Sequence, residues 1–348
     1  MALSPSLQNL SVTSVANGIS NTTSRTRRRP SLAVHMATSD TSIGTFEEGR
    51  LVRPKWTGHT PISRLVVALI SFKPLYSILK LGARQVLIST AEKNNIPWRE
   101  MAKEILESDA YKELESIRDH SLEYPDSAEA EAATLSMVRR AIPDASSVDE
   151  ANQILRGNWL QAIEQHHLKY TKTSMINDIL DIGCSVGEST RHLAAKFPNA
   201  KVTGLDLSPY FLAVAQLKEK NRAPRKHPIS WIHANGENTG LPSKSFDLVS
   251  ISFVLHECPE RAIVNMIKEA FRLLRPGGTI ALTDNSPKSK ILQELPPVLF
   301  TLLKSTEPFI DEYYLTDMEA TLRQAGFVNI QSILTDPRHM TATATVPY

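Results

Sequence analysis

The residues best placed to do chemistry cluster in the second half of the 348-residue chain. Gly183-Cys184-Ser185-Val186-Gly187 follows an apolar run over 176–183, and Asp206 stands 19 residues beyond Gly187. A glycine-bounded bend between a strand and a helix lets backbone amides come close to a ligand, and the first helical N–H groups have no partner within the helix. A carboxylate at the tip of the following strand can accept both hydroxyls of a ribose. The spacing therefore points to a ligand carrying a nucleoside, although Asp206 could instead cap a helix opening at Ser208-Pro209. The same five residues also spell the Gly-x-Ser-x-Gly of a nucleophile elbow, with Asp284 and His339 downstream in the order a hydrolase uses. A second group, Ser252, Phe253, His256 and Glu257, closes a later apolar run. An ordinary imidazole titrates near neutral pH, so His256 could deprotonate an oxygen or carbon acid. The alternative is a structural histidine bonded to a backbone carbonyl.

These residues need a scaffold of alternating strands and helices. The run 176–183 reads as a strand, and a helix carrying Leu193, Ala194 and Phe197 follows the bend. Lys201 to Leu205 forms the next strand, Phe246 to Leu255 a later one, and Leu273 to Gly278 turns into another. Before Asn177 the chain reads helical from Arg53 to Tyr170 and holds no His-Gly run, which weighs against a hydrolase. A nicotinamide dehydrogenase would need Gly-x-Gly-x-x-Gly and a separate catalytic domain. Ser147 and Glu150 form a capping box that opens a helix through Ile154, Leu155, Trp159, Leu160 and Ile163. From Glu123 to Val148 the chain is acidic, Ala-rich and punctuated by Pro125 and Pro143, a joint around a short helix near Ala128 to Arg140.

Five ordered motifs over residues 150–348 resemble class I S-adenosyl-L-methionine-dependent methyltransferases, most closely the ubiquinone/menaquinone-methyltransferase-like branch. Asp181-Ile182-Gly183-Cys184-Ser185-Val186-Gly187 is similar to the family's first motif, and Gly204-Leu205-Asp206-Leu207-Ser208 to its second-strand motif. Gly236-Glu237-Asn238 ahead of Leu241-Pro242 and Ser245-Phe246-Asp247 resembles the segment used for adenine. Phe246 to Leu255 and Leu273 to Gly278 match the fourth strand and the turn into the fifth. Asp317 to Gly326, Val328 to Leu334 and Met340 to Val346 resemble the closing helix and strand pair. The departures are Ser185 for the middle glycine and Glu237 for an aspartate. The resemblance implies an α/β, doubly wound, Rossmann-like seven-stranded sheet whose last strand is antiparallel, with an N-terminal helical extension. It also implies S-adenosyl-L-methionine held by Asp181, Gly183, Ser185, Gly187, Asp206, Leu207, Glu237, Asn238 and Ser252, with Asp181 toward the methionine amino group. Methyl transfer would be an in-line displacement needing alignment and water exclusion, without a metal. His256 stands where the acceptor pocket begins. A catalytically silent protein that keeps the fold and the cofactor for regulation or assembly is the alternative.

Composition bounds the acceptor. The formal net charge of +2 includes Arg25, Arg27, Arg28 and Arg29, and without these four the balance is −2. No general basic excess remains to hold a phosphate backbone, so no nucleic-acid partner is expected. Cys184 and Cys258 are too few for a disulfide framework and lack zinc-ligand spacing. Residues 1–36, rich in serine and threonine, without acids and closing on arginines, have transit-peptide composition, and chloroplast is the expected location. Residues 37–146 are expected as a helical accessory region and 147–348 as the methyltransferase domain. Leu65 to Ile88 is interrupted by Lys73, Pro74, Lys80 and Arg84, so no transmembrane segment is expected. Its face of Leu75, Ile78, Leu79, Gly82 and Val86 suits core packing or a peripheral membrane contact. Pro296 to Leu303 and Phe309 to Tyr314 could roof a site for a small, lipophilic acceptor.

Overall fold

The computed structural model describes residues 61, 64–65, 68–69, 72–117, 125–172, 175–307 and 309–348. The expected transit peptide and the start of the accessory region lie outside the described residues. Seven strands form one sheet: β1 (Asp178–Ile182), β2 (Lys201–Asp206), β3 (Ser230–His233), β4 (Phe246–Ser252), β5 (Leu274–Asn285), β6 (Val328–Leu334) and β7 (His339–Thr345), in the order β3-β2-β1-β4-β5-β7-β6. All neighbours from β3 to β5 are parallel, and β7 runs antiparallel to both β5 and β6, so the expected doubly wound topology is present.

Strand parity makes the two cores. Leu180, Ile182, Leu205, Val249, Ile251, Ile280 and Leu282 face one way onto Ile263, Met266 and Ile267. Ile179, Val202, Leu248 and Ala281 face the other way onto Trp159, Leu160, Ile163 and Leu193. Successive side chains alternate between faces of a strand, and both faces of a parallel sheet are covered, so these strands read as apolar runs. Asp181 shares a face with Ile179. It is thereby directed toward the helices Val148–Tyr170 (α4) and Glu188–Lys196 (α5).

The turn expected at Leu273 to Gly278 is a correction. Leu274 pairs with Phe246 and Thr279 with Leu248, so the intervening residues bulge out inside β5. The Arg275 guanidinium pins that bulge, bonding Asp178 at 2.8 Å and Asp247 at 2.7 Å. Three further helices, Lys73–Lys93 (α1), Trp98–Leu106 (α2) and Pro125–Ala141 (α3), precede α4. Among the described residues of α1, Ile88 is buried while Ile78 is exposed, so its apolar face is only partly taken by packing. Gly82 of α1 approaches Leu302 on the helix Pro297–Thr306. Ser147 caps α4 by accepting the Glu150 N–H at 3.1 Å. The Glu150 carboxylate turns to the Ser146 N–H at 2.7 Å rather than back to the cap residue.

Candidate functional site

The chain runs outward from β1 to β3 and returns to β4, so strand order reverses between β1 and β4. In open parallel sheets ligands bind beyond the carboxyl ends of strands at such a switch point. Gly183 to Gly187 leave β1 there. The Gly183 and Cys184 N–H groups both donate to the Leu205 carbonyl, at 2.7 and 3.0 Å, which ties the bend to the tip of β2. Asp206 completes the tie, one carboxylate oxygen accepting the Ser185 N–H at 2.7 Å and the other the Ser208 N–H at 2.8 Å. Each oxygen retains acceptor capacity for a hydroxyl. Burial raises the Asp206 pKa, and these backbone N–H groups work against that rise.

The glycines serve packing more than close ligand approach. A Cβ on Gly183 would lie 2.5 Å from a Val254 methyl, and one on Gly187 would lie 2.5 Å from the Trp231 ring. Gly204, paired with Asp181 across the ladder, would meet Trp231 at 2.6 Å. Ser185, where the family has glycine, sits in the left-handed region at φ +48°, a conformation costly to a residue with a Cβ. Leu207 is 48% exposed beside this tip, an apolar surface open to a flat ring.

Asp181 is buried, and Thr190 donates to one of its oxygens at 2.7 Å while the other has no hydrogen-bond partner. Burial pushes its pKa up to about 6, against the hydrogen bonds from Thr190 and Ser250. Ser252 is buried at the end of β4, its hydroxyl 3.1 Å from that of Ser250. On the loop after β3, Glu237 is held by Arg261 at 2.7 Å and Asn265 at 2.8 Å from the helix Glu260–Leu273 (α7), and Asn238 is exposed. Glu269 of α7 fixes that loop by accepting the Thr239 N–H and hydroxyl at 2.9 and 2.6 Å. Its own Arg272 pair and these bonds take its pKa down to about 2.

Beyond β4 the site becomes charged. Phe253 adopts φ +59°, an outlier for an aromatic residue, and its ring is flanked edge-on by His339 at 5.1 Å. His256 Nδ1 is 2.7 Å from the buried Asp284, and Nε2 is 3.7 Å from Glu307. Burial pulls the His256 pKa down, but Asp284 and Glu307 more than reverse this and raise it to about 10. The premise of an ordinary imidazole is thereby corrected, and so is the backbone-carbonyl alternative: near neutral pH this side chain is a cation paired with carboxylates. Burial pushes Glu307 up to about 7, against the pull of His256, making it the member of the cluster that titrates near neutrality. The ligand atoms of His256, Glu257 and Glu307 lie within 4.8 Å of one another, close enough to share a cation, while the His256 ion pairs compensate the same charges without one.

Asp284 bonds His256, whereas His339 bonds Asp336 at 2.8 Å, so the hydrolase order of Ser185, Asp284 and His339 is not assembled. The sequence alone missed Glu307, Glu269 and Arg156, since none belongs to a motif. A pairing for Asp284 was legible only through its place at the end of β5.

A family described as Methyltransferase domain matches residues 179–278, the span from β1 to the bulge of β5. A demethylmenaquinone methyltransferase of Tropheryma whipplei is 32% identical over 168 residues, 44% of this chain and 66% of that protein. One from Listeria welshimeri is 29% identical, with 58% of its length covered, so the chain spans under two thirds of these relatives. A demethylmenaquinone methyltransferase of Lactococcus lactis is 30% identical over 213 residues, 53% of this chain and 79% of that protein. This chain belongs to the class I S-adenosyl-L-methionine-dependent methyltransferases. Among solved structures, human N-acetylserotonin methyltransferase in complex with S-adenosylmethionine matches at TM-score 0.45 and 14% identity, over 76% of this chain and 70% of that one, a likeness too distant to bear on function. For a class I methyltransferase, the tips of β1 and β2 are the donor end and the tips of β4 and β5 the acceptor end.

Proposed function

We propose that the protein transfers the methyl group of S-adenosyl-L-methionine to a small, lipophilic acceptor with an oxygen or carbon nucleophile, in the chloroplast. The observation that carries this reading is the Asp206 carboxylate, bound to the bend after β1 and to the turn after β2, at the sheet's switch point. The residues present fit the donor. Asp206 has acceptor capacity for ribose hydroxyls, Leu207 offers an apolar face to adenine with Glu237 and Asn238 at its edge, and Asp181 keeps one buried oxygen for an ammonium. Ser252, Gly183, Ser185 and Gly187 close the floor. When bound, the donor supplies a methyl group on a positively charged sulfur, so alignment and exclusion of water are the protein's main tasks.

At the acceptor end, Glu307 is the base in this proposal, because its proton comes and goes near neutral pH, and the His256 cation holds the resulting oxyanion. Phe300, Tyr313 and Tyr314 are buried in the segment expected to roof the acceptor. The names of the relatives support a prenylated quinol as acceptor, and no nucleic acid or metal enters the scheme. Leu65, Leu69, Phe72, Ile78 and Leu81 are exposed close to Lys80 and Arg84, which supports a peripheral membrane contact for a lipid-soluble substrate. Among the described residues no helix is long and apolar enough to cross a membrane. The Ser/Thr-rich, acid-free start of the chain supports the chloroplast address.

The test incubates purified protein with methyl-labelled donor and either prenylated quinols or plastid lipid extract. Label is expected in one lipid product, with S-adenosylhomocysteine released in equal amount. Donor binding without any labelled product would favour the silent regulatory reading instead.

A further inference from the structure

Arg156 is a cation buried without an anion. It lies on α4 at 3% exposure, and its Nη1 donates to the Ser189 hydroxyl at 2.9 Å, a neutral partner. Its Nε is buried with no hydrogen-bond partner, and among the described residues it forms no ion pair. The faces of Phe253 and Trp159, with ring centres 5.1 and 5.9 Å from the guanidinium carbon, support it without neutralising it. Removing a charge from water costs several kcal/mol unless a paired group compensates, so such a site is poised for an anionic ligand.

Its surroundings say which anion. Ser189 and Thr190 are neighbours on the first turns of α5: Ser189 holds Arg156, and Thr190 holds Asp181. Asp181 also keeps one buried oxygen unpartnered. A buried cation and a buried carboxylate, each with spare hydrogen-bonding capacity, are thus linked through two adjacent residues at the bend after β1. A ligand end carrying both an ammonium and a carboxylate matches that pair of opposite charges. We infer that Arg156 and Ser189 form the carboxylate-binding site for the amino-acid end of the donor, with Asp181 taking the ammonium beside it. This rests on the methyltransferase reading above. It gives α4, which lies before the matched family region, a direct part in donor selection. The planar guanidinium offers the two parallel donors that a carboxylate accepts, which a lysine would not reproduce.

The experiment measures, by calorimetry, binding of S-adenosylmethionine and of decarboxylated S-adenosylmethionine to the full chain and to its Arg156→Gln and Arg156→Lys variants. The wild type is expected to prefer the intact donor by about ten- to hundredfold, the worth of a hydrogen-bonded charge pair. In Arg156→Gln that preference falls to within about threefold, through loss of affinity for the intact donor alone, and Arg156→Lys falls between. A wild type that binds both ligands equally overturns the carboxylate site while leaving the methyltransferase reading intact, and needs no variant to fold. Equal weakening of both ligands in Arg156→Gln, at an unchanged melting temperature, also overturns it. A wild type that binds neither ligand overturns both the site and the reading beneath it.

Discussion

The donor end and the acceptor end of this site are built from different materials. At the tips of β1 and β2 one carboxylate, Asp206, is satisfied by backbone N–H groups, and strand register and three tight glycine contacts fix the geometry. At the tips of β4 and β5 one imidazole lies among Asp284, Glu307 and Glu257, and mutual charge fixes both geometry and protonation. A backbone-made site keeps its shape across pH, while a charge-made site changes with every proton. The first suits binding an invariant cofactor and the second suits moving a proton from an acceptor.

The sharpest way to break this contrast is Asp206→Ala. It removes the acceptor of two backbone N–H groups and of the ribose hydroxyls together, and hydrogen bonds to a charged group contribute roughly 1.5–3 kcal/mol each. Donor affinity measured by calorimetry is expected to fall at least about 100-fold. Glu237→Gln is the internal control at the same end. Its carboxylate already answers Arg261, which is 70% exposed, so donor affinity is expected to change by less than about threefold.

At the acceptor end the expected signature is a pH slope. The folded pKa of His256 lies near 10 against an ordinary 6.5, so its stabilisation is fully present below about pH 6.5 and is lost as pH rises through 10. Asp284→Asn removes the strongest of the carboxylates that raise it. The wild type should lose about 2 kcal/mol more stability than the variant between pH 6.5 and 10, read from denaturant midpoints at each pH. Parallel slopes in the two proteins would show that the imidazole is not charged by Asp284.

These two ends were not equally legible in the sequence. The donor end was readable because backbone demands leave marks in residue type and spacing: glycines at Gly183 and Gly187, both with positive φ, and an acid 19 residues on. The strand order followed from the same alternation. The acceptor end was not readable, because Glu307 reaches His256 from a segment 51 residues downstream, and nothing local marks a carboxylate whose partner is that distant. The pKa of His256 could not be inferred from its type alone. Nor could the bulge at Arg275 to Gly278, since its lock is a three-way contact with Asp178 and Asp247 on other strands. Arg156 lay unremarked between the apolar residues of an amphipathic helix, where an arginine normally marks the solvent face.

Asp181 straddles the two descriptions, being placed by a strand yet sensitive to protons. In the free protein its pKa is pushed up to about 6, and an ammonium needs the carboxylate form. Donor affinity should therefore hold above pH 6 and weaken by up to about tenfold per unit below it. Asp181→Asn should bind the donor about tenfold more weakly than wild type at pH 8 and show no such dependence. A variant that keeps the acid-side weakening would move its origin to another group.

The smallest expected effect tests whether the donor end is a backbone device. Ser185 holds φ +48°, where an L-residue is strained by roughly 1–2 kcal/mol, and its N–H must still point at Asp206. Ser185→Gly removes the strain but adds freedom to the unfolded chain, a loss of about 0.4–1 kcal/mol. The two terms leave a net gain of up to about 1 kcal/mol, visible as a modest rise in the denaturation midpoint. Donor affinity should stay within about twofold, because the N–H that Asp206 accepts belongs to the backbone and survives the substitution. A fall in affinity of tenfold or more would mean that the serine hydroxyl itself touches the ligand, and the donor end would then owe part of its specificity to a side chain at the position where the family keeps none.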